Sequence, residues 1–389
     1  MNLAICHPVV IPARGGAETY IADLARRLCA DGHEVHLYAS AWDAECLPES
    51  LRLHPVADKA WPRSLRPWRF TRACAAATRG AGHDLTLGFD KVAGVDVLYP
   101  AGGLHVAAFD HGLLKSRHRW LRGAAWAVRR LDLAHLSFCR FERRQYLREP
   151  RPFVIANSDM VRRQFHAYLG LRPSEVPVLH CAIDPDRFAA TDRPARRVAT
   201  RQRWGIEPTD TVALFVAMNY RLKGLGPLLR AVARLRDRPR FRLAVVGHPD
   251  SAAYQRQARR LRISEAVRFL GFAADPRDAY FAADLLVHPT FYDPCSLVVA
   301  EAQACGLPVI TTVNNGAAEL LDPPNDGLVI QDPHDRDELA GALAHFLDPA
   351  KRQAASRAAF RAAQRWTWEQ HYRRLLELLG EAVRRKRAA

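Results

Sequence analysis

The chain is predicted to fold as two doubly wound α/β domains, and three observations carry that prediction. Short apolar runs alternate with helical patterns, and the same plan begins afresh in the second half of the chain. The length of 389 residues with 49% hydrophobic content also exceeds one core, since single cores stop growing near ~250 to 300 residues. In the first half, Leu3-Ala4-Ile5-Cys6 reads as a strand. Arg14-Gly15-Gly16 then opens a helix with Tyr20, Ile21, Leu24, Ala25 and Leu28 on one face, and Val35-His36-Leu37-Tyr38 is the next strand. In the second half, Val212 to Val216 is a strand, Asn219 to Gly224 a loop, and Leu228, Leu229, Val232 and Leu235 mark a helix face. Leu243 to Val246, ending at Gly247, completes that βαβ unit, and Val267 to Leu270 ends in a Gly271-Phe272 turn.

Ligands in open α/β sheets sit beyond the carboxyl ends of the strands, so the loops just named should face a cleft. Gly15 and Gly16 would let the backbone approach a diphosphate or a sugar closely. The most informative segment is Asp293-Pro294-Cys295-Ser296, which runs straight into Leu297-Val298-Val299-Ala300-Glu301. Pro294 suits a first-turn position, so Cys295, Ser296 and Leu297 should present free N–H groups at a positive helix end, an anion site. At 1.5 Å per residue, Glu301 should lie roughly 10 Å along the helix from Asp293, the length of a sugar, a diphosphate and a ribose together. The alternative is an ordinary loop and helix with two surface acids.

Composition fits a soluble enzyme with an acidic partner. The 57 Lys and Arg against 41 Asp and Glu leave a net charge of +16, although arginine richness can also follow from a GC-rich genome. Between Lys115 and Arg151 there are eleven basic residues against three acids, interleaved with Trp120, Trp126, Phe138, Phe141 and Tyr146. Such a stretch reads as an amphipathic basic surface for anionic lipid, or else as a helical pair packed on its own domain. No nucleic-acid-binding motif accompanies the charge. The eight scattered cysteines contain no C-x-x-C pair, which fits reduced thiols better than a disulfide framework or a zinc site. With no basic n-region before a cleavable apolar segment and no apolar run of ~18 residues, the chain is expected to be made and kept in the cytoplasm.

The Asp293 to Glu301 segment resembles the acid-x7-acid signature of the retaining glycosyltransferases of family four, and Gly306-Leu307-Pro308-Val309-Ile310 and Asn315-Gly316-Ala317-Ala318-Glu319 fit the same pattern. The resemblance covers almost the whole chain. It implies the GT-B fold, two Rossmann-like domains facing a cleft, with a nucleotide-sugar donor. Val176 to Asp184, followed by Pro185 and Phe188, resembles the interdomain connection. An acceptor domain of residues 1–180 and a donor domain of 181–365 are expected, with a crossover helix at 366–389 packing back on the first. Its Arg384, Arg385, Lys386 and Arg387 are expected to be solvated.

By position, Asp293 would contact sugar hydroxyls and Glu301 the ribose, although the first acid is usually Glu. Pro294, Cys295, Ser296, Leu297 and Val298 complete the donor side. Arg221 and Lys223 match the basic pair that neutralises the diphosphate, so no metal and no cofactor is implied. Gly271 and Phe272 stand where the family holds the nucleobase, and Gly15 and Gly16 lead into its Gly-Gly-Ala-Glu pattern at Glu18. His105, after Tyr99-Pro100-Ala101-Gly102-Gly103, resembles a histidine beside the donor sugar, with Asp110 and His111 as weaker candidates. Within the family the likeness is to lipopolysaccharide core glucosyltransferases, except that an acid stands there in place of Gly102. It implies hexose transfer, from UDP-glucose above other donors, to a membrane-anchored glycan at the cytoplasmic face, with residues 115–151 meeting the anionic membrane. The competing hypothesis is a non-catalytic basic protein of GT-B fold that binds anionic membrane.

Overall fold

The computed structural model describes residues 1–188, 191–235, 240–273 and 275–388, apart from the side chains of residues 119, 129 and 185. The chain divides into two units, Met1–His180 with His371–Ala389, and Cys181–Gln370.

The first unit is built on a six-stranded sheet of β1 (Asn2–Cys6), β2 (Glu34–Ala39), β3 (Arg52–Pro55), β4 (Leu85–Phe89), β5 (Val97–Tyr99) and β6 (Phe153–Val154), in the order β3-β2-β1-β4-β5-β6. Every pairing is parallel, with Ile5 opposite Leu37 on one side and Leu87 on the other. Leu3, Ala4, Ile5 and Cys6 are fully buried, as a strand covered on both faces requires. Helix α1 (Gly16–Ala30) buries Tyr20, Ile21, Leu24, Ala25 and Leu28, the face read from their spacing. Beyond β5 lie α2 (His105–Leu113), α3 (Arg119–Arg130) and α4 (Leu133–Leu147).

The second unit repeats the plan with β7 (Thr211–Ala217), β8 (Phe241–Gly247), β9 (Val267–Gly271), β10 (Leu285–His288), β11 (Val309–Thr312) and β12 (Gly327–Ile330), ordered β9-β8-β7-β10-β11-β12. In both sheets the order reverses beside the first strand, the doubly wound arrangement. Phe215, Leu228, Leu229, Val245 and Val287 form a core on one face, each fully buried, and a side chain of that size contributes about 1.5 to 3 kcal/mol. On the other face Asp284 accepts from Arg197 at 2.6 Å, Arg201 at 2.7 Å and the Val212 N–H at 2.7 Å. That network ties the Arg193–Arg203 helix to the sheet. Helices α5 (Leu225–Val232) and α6 (Leu297–Ala304) follow β7 and β10.

The last helix, α7 (Trp368–Ala388), begins later than expected, because Trp366 O and Thr367 pair with Ile183 in the second unit. From His371 onward the chain belongs to the first unit. Buried His371 accounts for that: its Nε2 lies 2.8 Å from Tyr20 Oη and its Nδ1 donates to His180 O at 2.7 Å. The basic tail is not simply solvated, since Lys386 Nζ reaches Asp84 O and Asp96 Oδ2, each at 3.0 Å.

Candidate functional site

The polar residues of the second unit gather at the carboxyl ends of β7 and β10, the neighbours at which the strand order reverses. After β7 the chain turns on Asn219, whose Oδ1 accepts the Leu222 N–H and whose carbonyl accepts the Lys223 N–H, both at 3.0 Å. Gly224 closes the turn at φ +83°, where a Cβ would stand 2.0 Å from Pro289 O. Only glycine permits that approach of the two loops. Phe291 N–H then donates to Leu222 O at 2.9 Å, and Thr290 Oγ1 to the same oxygen at 3.2 Å. The result is a contact of 2.5 Å between Lys223 Nζ and Asp293 Oδ2.

Asp293 is buried, with its N–H donated to Asn314 O at 3.0 Å and its carbonyl accepting the Gly316 N–H at 2.8 Å. His288 Nε2 stands 3.4 Å from the same Oδ2 and 3.4 Å from Ser296 Oγ. Burial alone would raise the Asp293 carboxyl; Lys223 and His288 more than offset it and hold the group well below the usual carboxylate range. Burial pushes His288 down, against the pull of Asp293. The loop therefore holds an ionised acid, a cation and a neutral imidazole.

Helix α6 starts at Leu297, with Ser296 as its N-cap, so Pro294 is not in the first turn. The reason is tertiary. Asp293 pairs with Asn315 as a parallel bridge, and Ser296, itself extended, donates its N–H to Asn315 Oδ1 at 3.4 Å, which keeps residues 293–296 out of the helix. Among the described residues the Leu297 and Val298 amides are the ones left without a partner at the positive end of α6. The helical path to Glu301 shortens to about 6 Å. Cys295 donates its thiol hydrogen to Cys181 Sγ at 3.0 Å, and that bond, with burial, raises the thiol well above its ordinary value. That environment suits a packing residue better than a nucleophile.

Glu301 lies on α6 and accepts from Tyr280 Oη at 2.5 Å. Burial raises its carboxyl, against the pull of Tyr280 and Arg187. Arg221 is exposed and, among the described residues, makes no hydrogen bond or ion pair, in contrast to Lys223. Gly271 ends β9 at φ +70°, and Phe272 beyond it is 56% exposed.

In the first unit Gly15 is extended, a conformation open to any residue, and Gly16 begins α1. A Cβ on Gly15 would lie 3.0 Å from Glu18 Oε2, so closeness to Glu18 limits that position. The Gly102 N–H donates to Asp90 Oδ1 at 2.6 Å, so a carboxylate stands beside the position where the resemblance expected one. His105 is the first residue of α2; its N–H and that of Val106 donate to the Glu142 carboxylate at 2.5 and 3.2 Å. Burial, Lys91 and His135 push the His105 imidazole down to about 4. Asp110 accepts from Tyr168 Oη at 2.9 Å, and His111 donates to Ala107 O at 2.9 Å. The basic stretch divides in two. Helix α4 packs Phe141 and Tyr146 into its domain, while Trp120 is 71%, Leu131 82% and Leu133 80% exposed.

Sequence reasoning missed His288, Tyr280 and Glu142, and met Asn315 only as part of a matching motif with no role given to it. His288 had a signal, a polar residue ending the apolar strand Leu285–His288 at its carboxyl end. Tyr280 and Glu142 had none, because each meets its partner only through the fold.

Residues 14–187 match the family described as Glycosyltransferase Family 4, and residues 197–363 match Glycosyl transferases group 1. A probable transglycosylase of Burkholderia thailandensis is 31% identical over 96% of this chain and 95% of its own length. The lipopolysaccharide glucosyltransferase WaaG of Escherichia coli (strain K12) is 26% identical over 88% of each chain. A crystal structure of WaaG, a glycosyltransferase involved in lipopolysaccharide biosynthesis, superposes with a TM-score of 0.79 at 25% identity, covering 93% of this chain and 95% of that one. Anabaena HepE, solved with UDP-glucose, shares the fold at a TM-score of 0.72 and 18% identity over 98% of this chain and 100% of its own.

Proposed function

The chain belongs to the GT-B glycosyltransferases, with a family 4 first half and a group 1 second half, and from that premise we propose that it transfers a hexose, glucose from UDP-glucose, with retention of configuration. The acceptor in this reading is a membrane-anchored glycan or glycolipid of lipopolysaccharide-core type at the cytoplasmic face. The observation that carries the donor side is the Lys223–Asp293 pair at the switch point, with the free Leu297 and Val298 amides beside it. A departing nucleoside diphosphate needs its developing negative charge stabilised. Lys223, Arg221 and the α6 amides supply that stabilisation without a metal ion or a cofactor. Asp293, freed when Lys223 turns to phosphate, accepts from a sugar hydroxyl, Glu301 takes the ribose hydroxyls, and Gly271 and Phe272 lie against the base. His105, neutral at pH 7, hydrogen-bonds sugar or acceptor. The diphosphate leaves from the face that the acceptor hydroxyl enters, and the leaving phosphate takes the hydroxyl proton.

Attachment to the membrane goes through residues 115–151. Exposed Trp120, Leu131 and Leu133 supply apolar bodies, and Arg130, Arg143 and Arg144 meet anionic headgroups. The enzyme in this reading is peripheral on the inner face; no helix among the described residues is long and apolar enough to cross a bilayer.

The test is calorimetric titration with UDP-glucose, GDP-mannose and UDP-N-acetylglucosamine, without added metal, beside Glu301→Ala. Micromolar binding of UDP-glucose that the variant loses is the expected result. Binding of another donor instead would overturn the sugar assignment, and binding that the variant keeps would remove Glu301 from the site.

A further inference from the structure

Away from the donor loops, three soft ligands converge in the first unit: His105 at the start of α2, and His135 and Cys139 on α4. Their ligand atoms all lie within 4.8 Å of one another. His105 Nε2 is 3.1 Å from His135 Nδ1, and Cys139 Sγ is 3.9 Å from that same nitrogen. A tetrahedral zinc with ordinary bond lengths separates two nitrogens by about 3.3 Å and a nitrogen from a sulfur by about 3.6 Å. His135 and Cys139 are four residues apart on a helix, so they share a face. We propose that His105, His135 and Cys139 bind one zinc ion, with the fourth tetrahedral corner left to water.

The surroundings suit that ion. Phe109 stacks on the His135 ring at 3.9 Å, and the Phe138 ring lies 5.0 Å from His105, so apolar walls shield the cluster. Glu142 and Asp110 balance Lys91 and Arg130 around it. Metal binding at such a site would release the Cys139 thiol proton to solvent as the sulfur–metal bond forms. Two nitrogens and one thiolate favour zinc over hard cations such as magnesium or calcium. The ion would clamp α2 to α4 beside the Glu142 cap, and would hold the His105 ring in one orientation. This inference shares His105 with the proposed sugar or acceptor contact but uses no residue of the second unit's donor loops, and its variants, at His135 and Cys139, leave those loops untouched.

The experiment uses untagged full-length protein, equilibrated with zinc, desalted and assayed for metal, and a cobalt-substituted sample read by absorption. One zinc per chain and a thiolate-to-cobalt charge-transfer band are expected, with zinc raising the melting temperature of the wild type by linkage. Cys139→Ser, nearly isosteric, should lose the band, and His135→Ala should lose retained zinc, with near-ultraviolet circular dichroism confirming native packing in both. A rival cluster exists, since His36 Nδ1 is 2.9 Å from His54 Nε2 with His83 beside them. His36→Ala/His54→Ala should keep both zinc and band. Zinc lost in that double variant, zinc retained equally in Cys139→Ser and His135→Ala, or a wild-type cobalt form without the band would each overturn the site.

Discussion

The carboxyl end of the second sheet and the α3–α4 surface of the first domain both concentrate charge, and they handle it in opposite ways. At the sheet end Lys223 and Asp293 are paired at 2.5 Å, with side chains only 19% and 12% exposed. On the α3–α4 surface Arg143 and Arg144 are exposed, and Arg130 lies over the Trp126 ring at 4.1 Å. The lesson is one of dielectric. A buried pair is costly to break, because the remaining charge stays desolvated. Exposed cations are solvated and screened, and act through their number.

Lys223→Ala should break the contrast most sharply, with kcat falling by about 10²- to 10³-fold, as when one donor to a developing oxyanion is lost. The fold should survive at a cost of about 3 kcal/mol for the stranded Asp293, read by chemical denaturation. Ordinary turnover in the variant would remove Lys223 from the leaving-group role. Next in size, replacing Arg130, Arg143 and Arg144 by Gln should weaken binding to anionic vesicles by about 3 kcal/mol, at about 1 kcal/mol per charge. Donor binding should be unchanged, and the difference should shrink in high salt. Vesicle binding that persists in the triple variant would leave this surface as a solvated face.

Glu301→Ala should raise the donor KM about 10- to 150-fold, the loss of charged hydrogen bonds worth about 1.5 to 3 kcal/mol. Tyr280→Phe, which removes only the donor to Glu301, should have a smaller effect. Equal KM values for Glu301→Ala and wild type would show that the ribose contact is absent. The smallest effect is with pH, where the two acids of the motif differ in sign. Asp293 is held low, so its contribution to stability is full above the ordinary carboxylate value of about 4 and fades only as pH falls through its lowered value. Glu301 is raised, so its protonated form favours folding, and that contribution fades as pH rises through its raised value. Donor affinity should therefore weaken on acidification while the Lys223–Asp293 pair is still intact. Glu301→Gln should abolish that limb, and a limb unchanged in the variant would place the titrating group elsewhere.

Much of the fold was legible. The α1 face of Tyr20, Ile21, Leu24 and Leu28 and the strand Val212 to Val216 follow from periodicity, which is written into neighbouring residues. The start of α6 was not. Pro294 is compatible with a first turn, but the bridge from Asp293 to Asn315 and the bond from Ser296 to the Asn315 side chain hold the loop outside the helix. Local preference lost to a partner about twenty residues away. The basic tail shows the same thing, since Lys386 finds Asp96 across 290 residues of chain.

What the sequence determined by itself is the doubly wound plan, begun twice, and the acid-x7-acid motif from Asp293 to Glu301, because strand and helix periods and turn chemistry are short-range properties. Tertiary structure alone decided which group each charged side chain meets. Lys223 and Asp293 lie 70 residues apart, Tyr280 and Glu301 21, and His105 and Glu142 37. The physical reason is that a carboxylate's charge state depends on burial and on cations within a few ångströms, and those neighbours exist only once the sheets have assembled.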